Sequence, residues 1–191
     1  MPADPTFDTP LMARIDERAH PEAMLQLGER VATLRRDRGL SLSQLSERTH
    51  LAKSNLSRLE RGSANPTLET LWRLATELRV PFSTLIASTQ TPFSHEGVTV
   101  QLIDQGRDTP LVDAWWMQVA PNACRYAEPH TAGSHEYLSV LAGELSAGLP
   151  DALLTLGAGD RGDFPGDRPH LYQAGPKGAT LLATLVYGGG L

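Results

Sequence analysis

The sequence predicts a two-domain fold class, in which an all-α domain of five short helices is followed by an all-β barrel. Residues 41–62, SLSQLSERTHLAKSNLSRLERG, contain two short helical patterns joined by a tight turn and ended by a glycine, which is the layout of a helix-turn-helix. After Pro92 the apolar spacing changes from helical to alternating, and Gly, Pro and Asp separate short strand-like runs. Seven or eight such runs without an intervening helix favour a small β-sandwich or a jelly-roll barrel.

The helix-turn-helix prediction rests on the local chemistry of its turns. Either Ser41 or Ser43 can accept a hydrogen bond from a free backbone N–H and cap the first helix. His50 occupies the turn, and histidine is among the residues that enter left-handed backbone space most readily after glycine. Gly62 is placed to end the second helix. Apolar or small side chains recur at helical spacing through the unit, at Leu42, Leu45, Thr49, Leu51, Leu56 and Leu59.

Charge is distributed unevenly along the chain. Residues 21–88 carry ten Lys/Arg and seven Asp/Glu, a net charge of +3, whereas residues 1–20 carry a net −2 and residues 89–191 a net −6. The positive segment is therefore the one with the helix-turn-helix pattern, which is the sign that a polyanionic partner requires.

The helical segment resembles the lambda-repressor-like, XRE family of helix-turn-helix domains. The matching runs are LGERVATLRRDRGLS, SQLSERTHLAKSNLSRLERGSANPTLETLWRLATEL and VPFSTLI, between about Leu25 and Ile86. The resemblance implies five helices, at about 24–38, 42–49, 53–61, 67–78 and 82–87. It departs from the family pattern at His50, where a glycine is usual, and at Ala52, which lacks the capping hydroxyl of a Ser or Thr.

That resemblance implies a double-stranded DNA operator as a partner. The second helix of the unit should enter the major groove, where its early residues 53–55 read base edges and the later polar residues contact phosphates. The alternative is a solvated helix face, with Arg58 or Arg61 paired to Glu60 or Glu47. The expected DNA contacts are Gln44, Lys53, Ser54, Asn55, Ser57, Arg58, Asn65 and Thr67.

The remaining chain divides at a polar segment, Ser88–Pro92. We assign residues 1–20 to a disordered lead, 21–88 to the helical domain, 89–99 to a linker and 100–191 to the β-domain. The expected strands are Val98–Gln105, Ala114–Ala120, Cys124–His130, Glu136–Leu145, Ala152–Leu156, Leu171–Ala174 and Thr180–Tyr187.

The runs PHTAGSHEYLSVLAGEL and GAGDRGDFPGDRPHLYQAG resemble the two halves of the cupin signature. Glu136 precedes Gly143 at the spacing of the first half, and Gly159, Pro165 and His170 follow the spacing of the second. The resemblance implies a jelly-roll barrel that holds a ligand or a metal inside.

Alternation along the strands places even-numbered residues inside the barrel, which gives a candidate ligand-binding set of Tyr126, His130, Glu136, His170 and Tyr172. Two imidazoles and one carboxylate, from His130, Glu136 and His170, form a possible facial site for one divalent metal: Zn, Fe, Ni or Mn. The family pattern has a further histidine two residues after His130, where this chain has Ala132. A polar cavity without a metal is the alternative. By the same parity Cys124 is expected inside as a small buried hydrophobe, His135 outside, and one of Trp115 and Trp116 inside.

Composition excludes several classes of protein. Of the 191 residues 40% are hydrophobic, too evenly spread for a membrane span, and the lone cysteine excludes an internal disulfide framework. The polar, proline-rich start lacks a secretory signal, so we expect a cytoplasmic protein.

Together these features predict a transcriptional regulator, not an enzyme, that forms a homodimer and binds operator DNA and a small-molecule effector. Pairing through the β-domain would set two half-sites about 34 Å apart. The alternatives are a mononuclear metal-dependent cupin oxygenase or epoxidase that carries a helix-turn-helix, and an antitoxin-like or scaffolding protein with an inert barrel.

Overall fold

The structure is a computed structural model, and it describes residues 21–86 and 92–188. The N-terminal part consists of five helices: α1 (Pro21–Asp37), α2 (Leu42–Thr49), α3 (Lys53–Glu60), α4 (Leu68–Glu77) and α5 (Phe82–Ile86). All five predicted helices are present within a few residues of their expected bounds. Helix α1 begins earlier than expected, at Pro21, because proline is favoured at the first helical position. The predicted disordered lead lies outside the described residues.

The turns of the helix-turn-helix, formed by α2 and α3, follow the sequence prediction. Ser41 caps α2 in a capping box: its side chain accepts from the Gln44 backbone N–H, and the Gln44 side chain accepts from the Ser41 N–H. His50 ends α2 in the left-handed region with φ 56°. Ala52 makes no side-chain cap on α3, and Gly62 follows α3 with φ 68°.

Close backbone approach holds α3 against α1. A methyl group at Gly28 would overlap the backbone carbonyl oxygens of Leu59 and Glu60. Beside this contact the Arg35 guanidinium forms two hydrogen bonds to the Glu60 carboxylate, at 2.6 and 2.9 Å, and one to the Leu40 carbonyl. The charge of Glu60 raises the pKa of Arg35 through these hydrogen bonds. Arg35 therefore joins α1 to α3.

The C-terminal part is one antiparallel sheet of eight strands. They are β1 (Phe93–His95), β2 (Val98–Gln105), β3 (Val112–Val119), β4 (Cys124–Ala127), β5 (His135–Leu149), β6 (Ala152–Gly157), β7 (Arg161–Pro165) and β8 (His170–Val186). Strands pair in the order β1-β2-β3-β8-β5-β6, with β4 on β8 and β7 on β5. An all-β domain therefore follows the helical domain, as predicted.

Three details of the strand prediction are wrong. Strand β1 lies inside the range assigned to the linker, and β7 was not predicted. The expected strands at 171–174 and 180–187 are two halves of β8, which pairs with β5 along both halves. The Gly and Pro residues between these halves were interpreted as a turn. They lie instead at an irregularity in the pairing of β8 with β5, where Gly143 of β5 has φ 80° and a side chain on it would overlap Gly178 of β8.

The two parts share one buried cluster. Phe82 of α5 is fully buried and its ring lies 5.2 Å from that of Trp115 on β3. Among the residues described here, no helix is long and apolar enough to cross a membrane.

Candidate functional site

The surface of α3 presents the predicted DNA contacts to solvent. Gln44, Lys53, Ser54, Asn55, Arg58, Asn65 and Thr67 are exposed, and Ser57 is half-buried. The apolar residues Leu56 and Leu59 on the opposite face are buried and fix the orientation of the helix. This arrangement leaves a continuous polar face that can enter a groove of duplex DNA.

Several of these side chains are held by neighbours. Arg61 donates to the Ser57 hydroxyl at 2.9 Å, and Arg58 donates to the Ser63 carbonyl. Thr67 caps α4, accepting from the Thr70 N–H. Glu60 is paired with Arg35, so the structure does not show the alternative in which Glu60 pairs with Arg58 or Arg61. The capping box also uses the side-chain oxygen of Gln44, which leaves the side-chain nitrogen as its remaining polar group.

Inside the β-domain the structure brings together His130, Glu136 and His170, all buried. Glu136 lies near the start of β5, and His170 is the first residue of β8. His130 lies in the loop after β4, which is tied to the end of β7 by a hydrogen bond from the His130 N–H to the Gly166 carbonyl. Gly166 lets the chain pass directly over the His130 ring and the Glu136 side chain, because a Cβ there would crowd both.

Glu136 accepts two hydrogen bonds, and a second imidazole lies close to it. His130 Nε2 donates to Oε1 at 2.7 Å, the Tyr172 hydroxyl donates to Oε2, and His170 Nε2 lies 3.2 Å from Oε1 without a well-directed hydrogen bond. Burial alone would raise the pKa of Glu136, but the charge of His170 and the hydrogen bond from His130 hold it well below its usual value. The carboxylate is therefore ionised.

The groups around Glu136 also have shifted pKa values. Burial lowers the pKa of His130 despite its hydrogen bond to Glu136. Burial also opposes the charge of His170, but attraction to Glu136 raises its pKa above the usual value. Burial and the neighbouring carboxylate raise the pKa of Tyr172 well above its usual value, so the phenol remains a donor.

The three potential metal ligands have a geometry that fits a metal ion. Metal–ligand bonds of about 2.0–2.2 Å place adjacent ligand atoms roughly 3 Å apart. The histidine Nε2 atoms lie 2.7 and 3.2 Å from Oε1, and the ligand atoms of all three residues lie within 4.8 Å of one another. His170 Nδ1 donates to the Arg168 carbonyl, which orients Nε2 toward Glu136. Ala132 is exposed in the loop, so its position offers no further ligand. The outward placement of His135 is confirmed, since it bonds Asp163.

A cavity adjoins this triad, and both domains line it. The β-domain contributes His130, Glu136 and Tyr172 at the polar end, and apolar side chains such as Trp115, Met117 and Leu185 around the rest. The helical domain contributes Leu68, Trp72 and Phe82. The Trp72 ring lies between Phe82 and His130, with centroids 4.1 and 4.0 Å away.

The predicted inward placement of Tyr126 and Cys124 is wrong. Cys124 is exposed, and Tyr126 is 69% exposed on the outer face of β4. The parity was counted back from His130, but β4 ends at Ala127 and the following loop turns the chain, so the buried residues of β4 are Arg125 and Ala127. Trp115 is the inward member of its pair, as one of the two was expected to be.

Among the residues that line the cavity, those that sequence reasoning missed include Trp72, Phe82 and Arg125. Correct strand ends would have placed Arg125 inside by alternation. No signal in the sequence relates the helical residues Trp72 and Phe82 to the barrel, since that contact depends on how the domains pack.

Comparison with known proteins agrees with this architecture. The family model described as Helix-turn-helix matches residues 31–85. The HTH-type transcriptional regulator SutR of Escherichia coli (strain K12) is 30% identical over 166 residues, covering 81% of this chain and 90% of SutR.

Two solved structures are also similar. An HTH_3 family transcriptional regulator from Vibrio cholerae superposes with a TM-score of 0.78 at 26% identity, covering 88% of this chain and 98% of that one. The Cupin_2 domain of an XRE family transcriptional regulator from Enterobacter cloacae, at 26% identity and a TM-score of 0.45, covers 48% of this chain and 98% of its own. The chain belongs to the helix-turn-helix transcriptional regulators of the XRE type, with an all-β C-terminal domain.

Proposed function

We propose that this DNA-binding regulator senses a small molecule in the β-domain cavity, and that occupancy of the cavity changes its affinity for operator DNA. The observation that carries the proposal is that Trp72 and Phe82 of the helical domain form part of the cavity wall. A ligand in the cavity would therefore contact the domain that binds DNA. Because its partner is DNA, the protein is expected to act in the cytoplasm.

The size of the cavity supports a role for Trp72 in this coupling. The enclosed space leaves about 30 Å³ for the centres of water molecules, room for roughly two or three waters. A larger ligand would have to displace Trp72 or Phe82. Helix α4, which carries Trp72, is tied to α2 by an ion pair from Glu77 to Arg48 at 3.0 Å, so its displacement would change the position of the helix-turn-helix.

The test combines ligand screening with DNA binding at fixed salt. Compounds that raise the melting temperature are titrated into the complex of the protein with its DNA. A sensed compound should change the DNA dissociation constant by about 5- to 150-fold, and Trp72→Ala should bind the same compound with less effect on DNA affinity. Leu25→Ala, on an exposed position of α1, is the control. A compound that binds the cavity and leaves DNA affinity unchanged would refute the switching proposal.

We further propose that His130, Glu136 and His170 hold one divalent metal. Two imidazoles and a carboxylate suit Zn²⁺, Fe²⁺, Ni²⁺ or Mn²⁺. Such a metal acts as a Lewis acid toward an oxygen atom of a bound molecule. The role of this chain's residues is to orient the ligand atoms: Tyr172 fixes the free oxygen of Glu136, and the Arg168 carbonyl fixes the His170 ring.

Loss of a ligand should abolish metal binding. Glu136→Gln is expected to weaken binding of the metal by at least about 100-fold, since even outer partners of metal ligands contribute 10- to 100-fold. The measurement is metal content after dialysis, together with the visible spectrum of the cobalt-loaded protein. His135→Ala removes a neighbouring histidine outside the triad and should retain the metal. Equal metal content in the wild type and Glu136→Gln would contradict the assignment.

The same triad also suits the alternative of a metal-dependent oxygenase or epoxidase. This alternative can be tested directly. Oxygen consumption by the iron-loaded protein, stoichiometric with a product and absent in Glu136→Gln, would favour the enzyme. Binding that changes DNA affinity without turnover would favour the sensor.

We also propose that the protein acts as a homodimer paired through the β-domain. Apolar side chains cluster on the outer face of β5 and β8, where Tyr137, Leu141 and Leu182 are exposed. Ser139 lies opposite Leu182 in the pairing of these strands, so Tyr137 and Leu182 share one face, and Leu141 lies next to them at a register shift. A patch of this kind on an acidic barrel is suited to a second copy of itself.

A charge in this face should separate the copies. Leu182→Glu is expected to raise the dimer dissociation constant by about 100-fold or more, as measured by analytical ultracentrifugation. Leu153→Glu changes an exposed leucine on β6, outside the patch, and should leave the oligomeric state unchanged. A monomeric wild type at micromolar concentration, or an unaffected Leu182→Glu dimer, would be inconsistent with this interface.

A further inference from the structure

Arg125 is a buried charge without an assigned role. It lies on β4 with 4% of its surface exposed, and its side chain lines the cavity. In the strand pairing it stands opposite Tyr172, so the two side chains share the inward face. The guanidinium Nε is buried and has no hydrogen-bond partner among the residues that the structure describes.

The buried carboxylates of the β-domain already serve other donors. Glu136 accepts from His130 and Tyr172, and Asp113 accepts from Ser83 and Tyr187. A buried guanidinium remains charged and is costly without an anionic partner. Its planar set of N–H donors matches the two oxygens of a carboxylate.

The rest of the cavity indicates what else the ligand carries. The polar residues that line it are Arg125, His130, Glu136 and Tyr172, and Val100, Met117 and Leu185 are among the apolar ones. The Trp115 indole N–H, from a residue that also lines the cavity, is buried without a partner in residues 21–86 and 92–188. An inorganic oxyanion has no apolar part to contact such walls, whereas the chain of an organic acid does.

We infer that the effector is a compact organic acid whose carboxylate pairs with Arg125 and whose apolar part lies against the Val100, Met117 and Leu185 side of the cavity. The inference rests on the proposed sensing function and names the chemical class that it detects. Arg125 acts here as the group that distinguishes an acid from a neutral molecule of the same shape.

The experiment compares matched probes on the full chain: acetate, propionate, butyrate and pentanoate, their primary amides, the corresponding amines, and sulfate. Binding is measured by calorimetry and by the shift in melting temperature. At least one acid should bind about 10- to 100-fold more tightly than its amide. Sulfate should bind more weakly than that acid.

Two variants separate charge from geometry. Arg125→Met keeps the side-chain volume and should remove the preference for acid over amide. Arg125→Lys keeps the charge but not the planar donors, and should retain part of that preference. Arg161→Met, at an exposed arginine of β7, is the matched control. The comparison of acid with amide on the wild type requires no variant, so it stands even if Arg125→Met fails to fold.

The inference is overturned if no acid binds, if acid and amide bind equally, if sulfate binds as tightly as the acid, or if Arg125→Met keeps the preference. Failure of the sensing function is a separate result. If an amide or amine binds and changes DNA affinity, the sensor stands and the organic acid is wrong. If acids bind through Arg125 without any change in DNA affinity, the cavity assignment stands and the switch is wrong.

Discussion

Replacing Gly28 by Ala is expected to destabilise the helical domain and abolish DNA binding, although alanine is the better helix former by about 1 kcal/mol. The added methyl group would overlap the carbonyl oxygens of Leu59 and Glu60. These are backbone atoms at the end of α3, so α1 and α3 would have to move apart. Overpacking of this kind costs about 1–3 kcal/mol and sometimes more, and here it displaces the helix that contacts DNA.

Chemical denaturation followed by circular dichroism measures this loss, and fluorescence anisotropy with labelled DNA measures the effect on binding. Glu29→Ala, at the adjacent exposed position of α1, places an alanine outside the contact and should be neutral or slightly stabilising. A Gly28→Ala protein as stable as Glu29→Ala would show that α1 and α3 do not pack as closely as described.

The second large effect is expected at Asp113, which joins the two domains. Its carboxylate accepts from the Ser83 N–H at 3.1 Å, from the Ser83 hydroxyl at 2.5 Å and from the Tyr187 hydroxyl at 2.6 Å. Tyr187 in turn accepts from the Phe82 N–H at 2.9 Å. The start of α5 is therefore capped by two side chains of the β-domain. Burial raises the pKa of Asp113 in spite of these hydrogen bonds.

Asp113→Ala would leave three donors without an acceptor in a buried interface, at about 1–3 kcal/mol for each unsatisfied group. Because the lost contacts join the domains, we expect unfolding to separate into two transitions, with the helical domain melting first. Circular dichroism at 222 nm reports mainly the helices, and near-ultraviolet dichroism, recorded in a Trp72→Phe background so that Trp115 and Trp116 are the remaining tryptophans, reports the barrel. Asp108→Ala removes an exposed carboxylate and should keep a single transition. Coincident transitions in Asp113→Ala would mean that other contacts couple the domains.

The sequence alone was enough to predict the features that depend on local chemistry. Five helices, the left-handed conformation of His50 and the convergence of His130, Glu136 and His170 follow from caps, turn residues and the spacing of motifs. In each case the determining groups lie close together in the chain, or in a pattern whose geometry a known fold fixes.

Features that depend on packing between distant segments could not be predicted. The pairing of Arg35 with Glu60 joins residues 25 positions apart, and the contact of Trp72 with His130 joins two domains. Tyr126 was placed inside the barrel because strand alternation was carried through a loop, where it does not hold. A one-residue change of parity exchanges the two faces of a strand, which is why Arg125, in place of Tyr126, lines the cavity.

The central claim, that α3 binds duplex DNA selectively, is tested most directly by selecting from fragmented genomic DNA at fixed salt. The protein should enrich a small number of fragments that share two half-sites about 34 Å apart. The double variant Lys53→Glu with Asn55→Ala, which changes only exposed side chains of α3, should bind those fragments about 100-fold or more weakly. Enrichment of no fragment by the wild type, or of the same fragments by the variant, would contradict it.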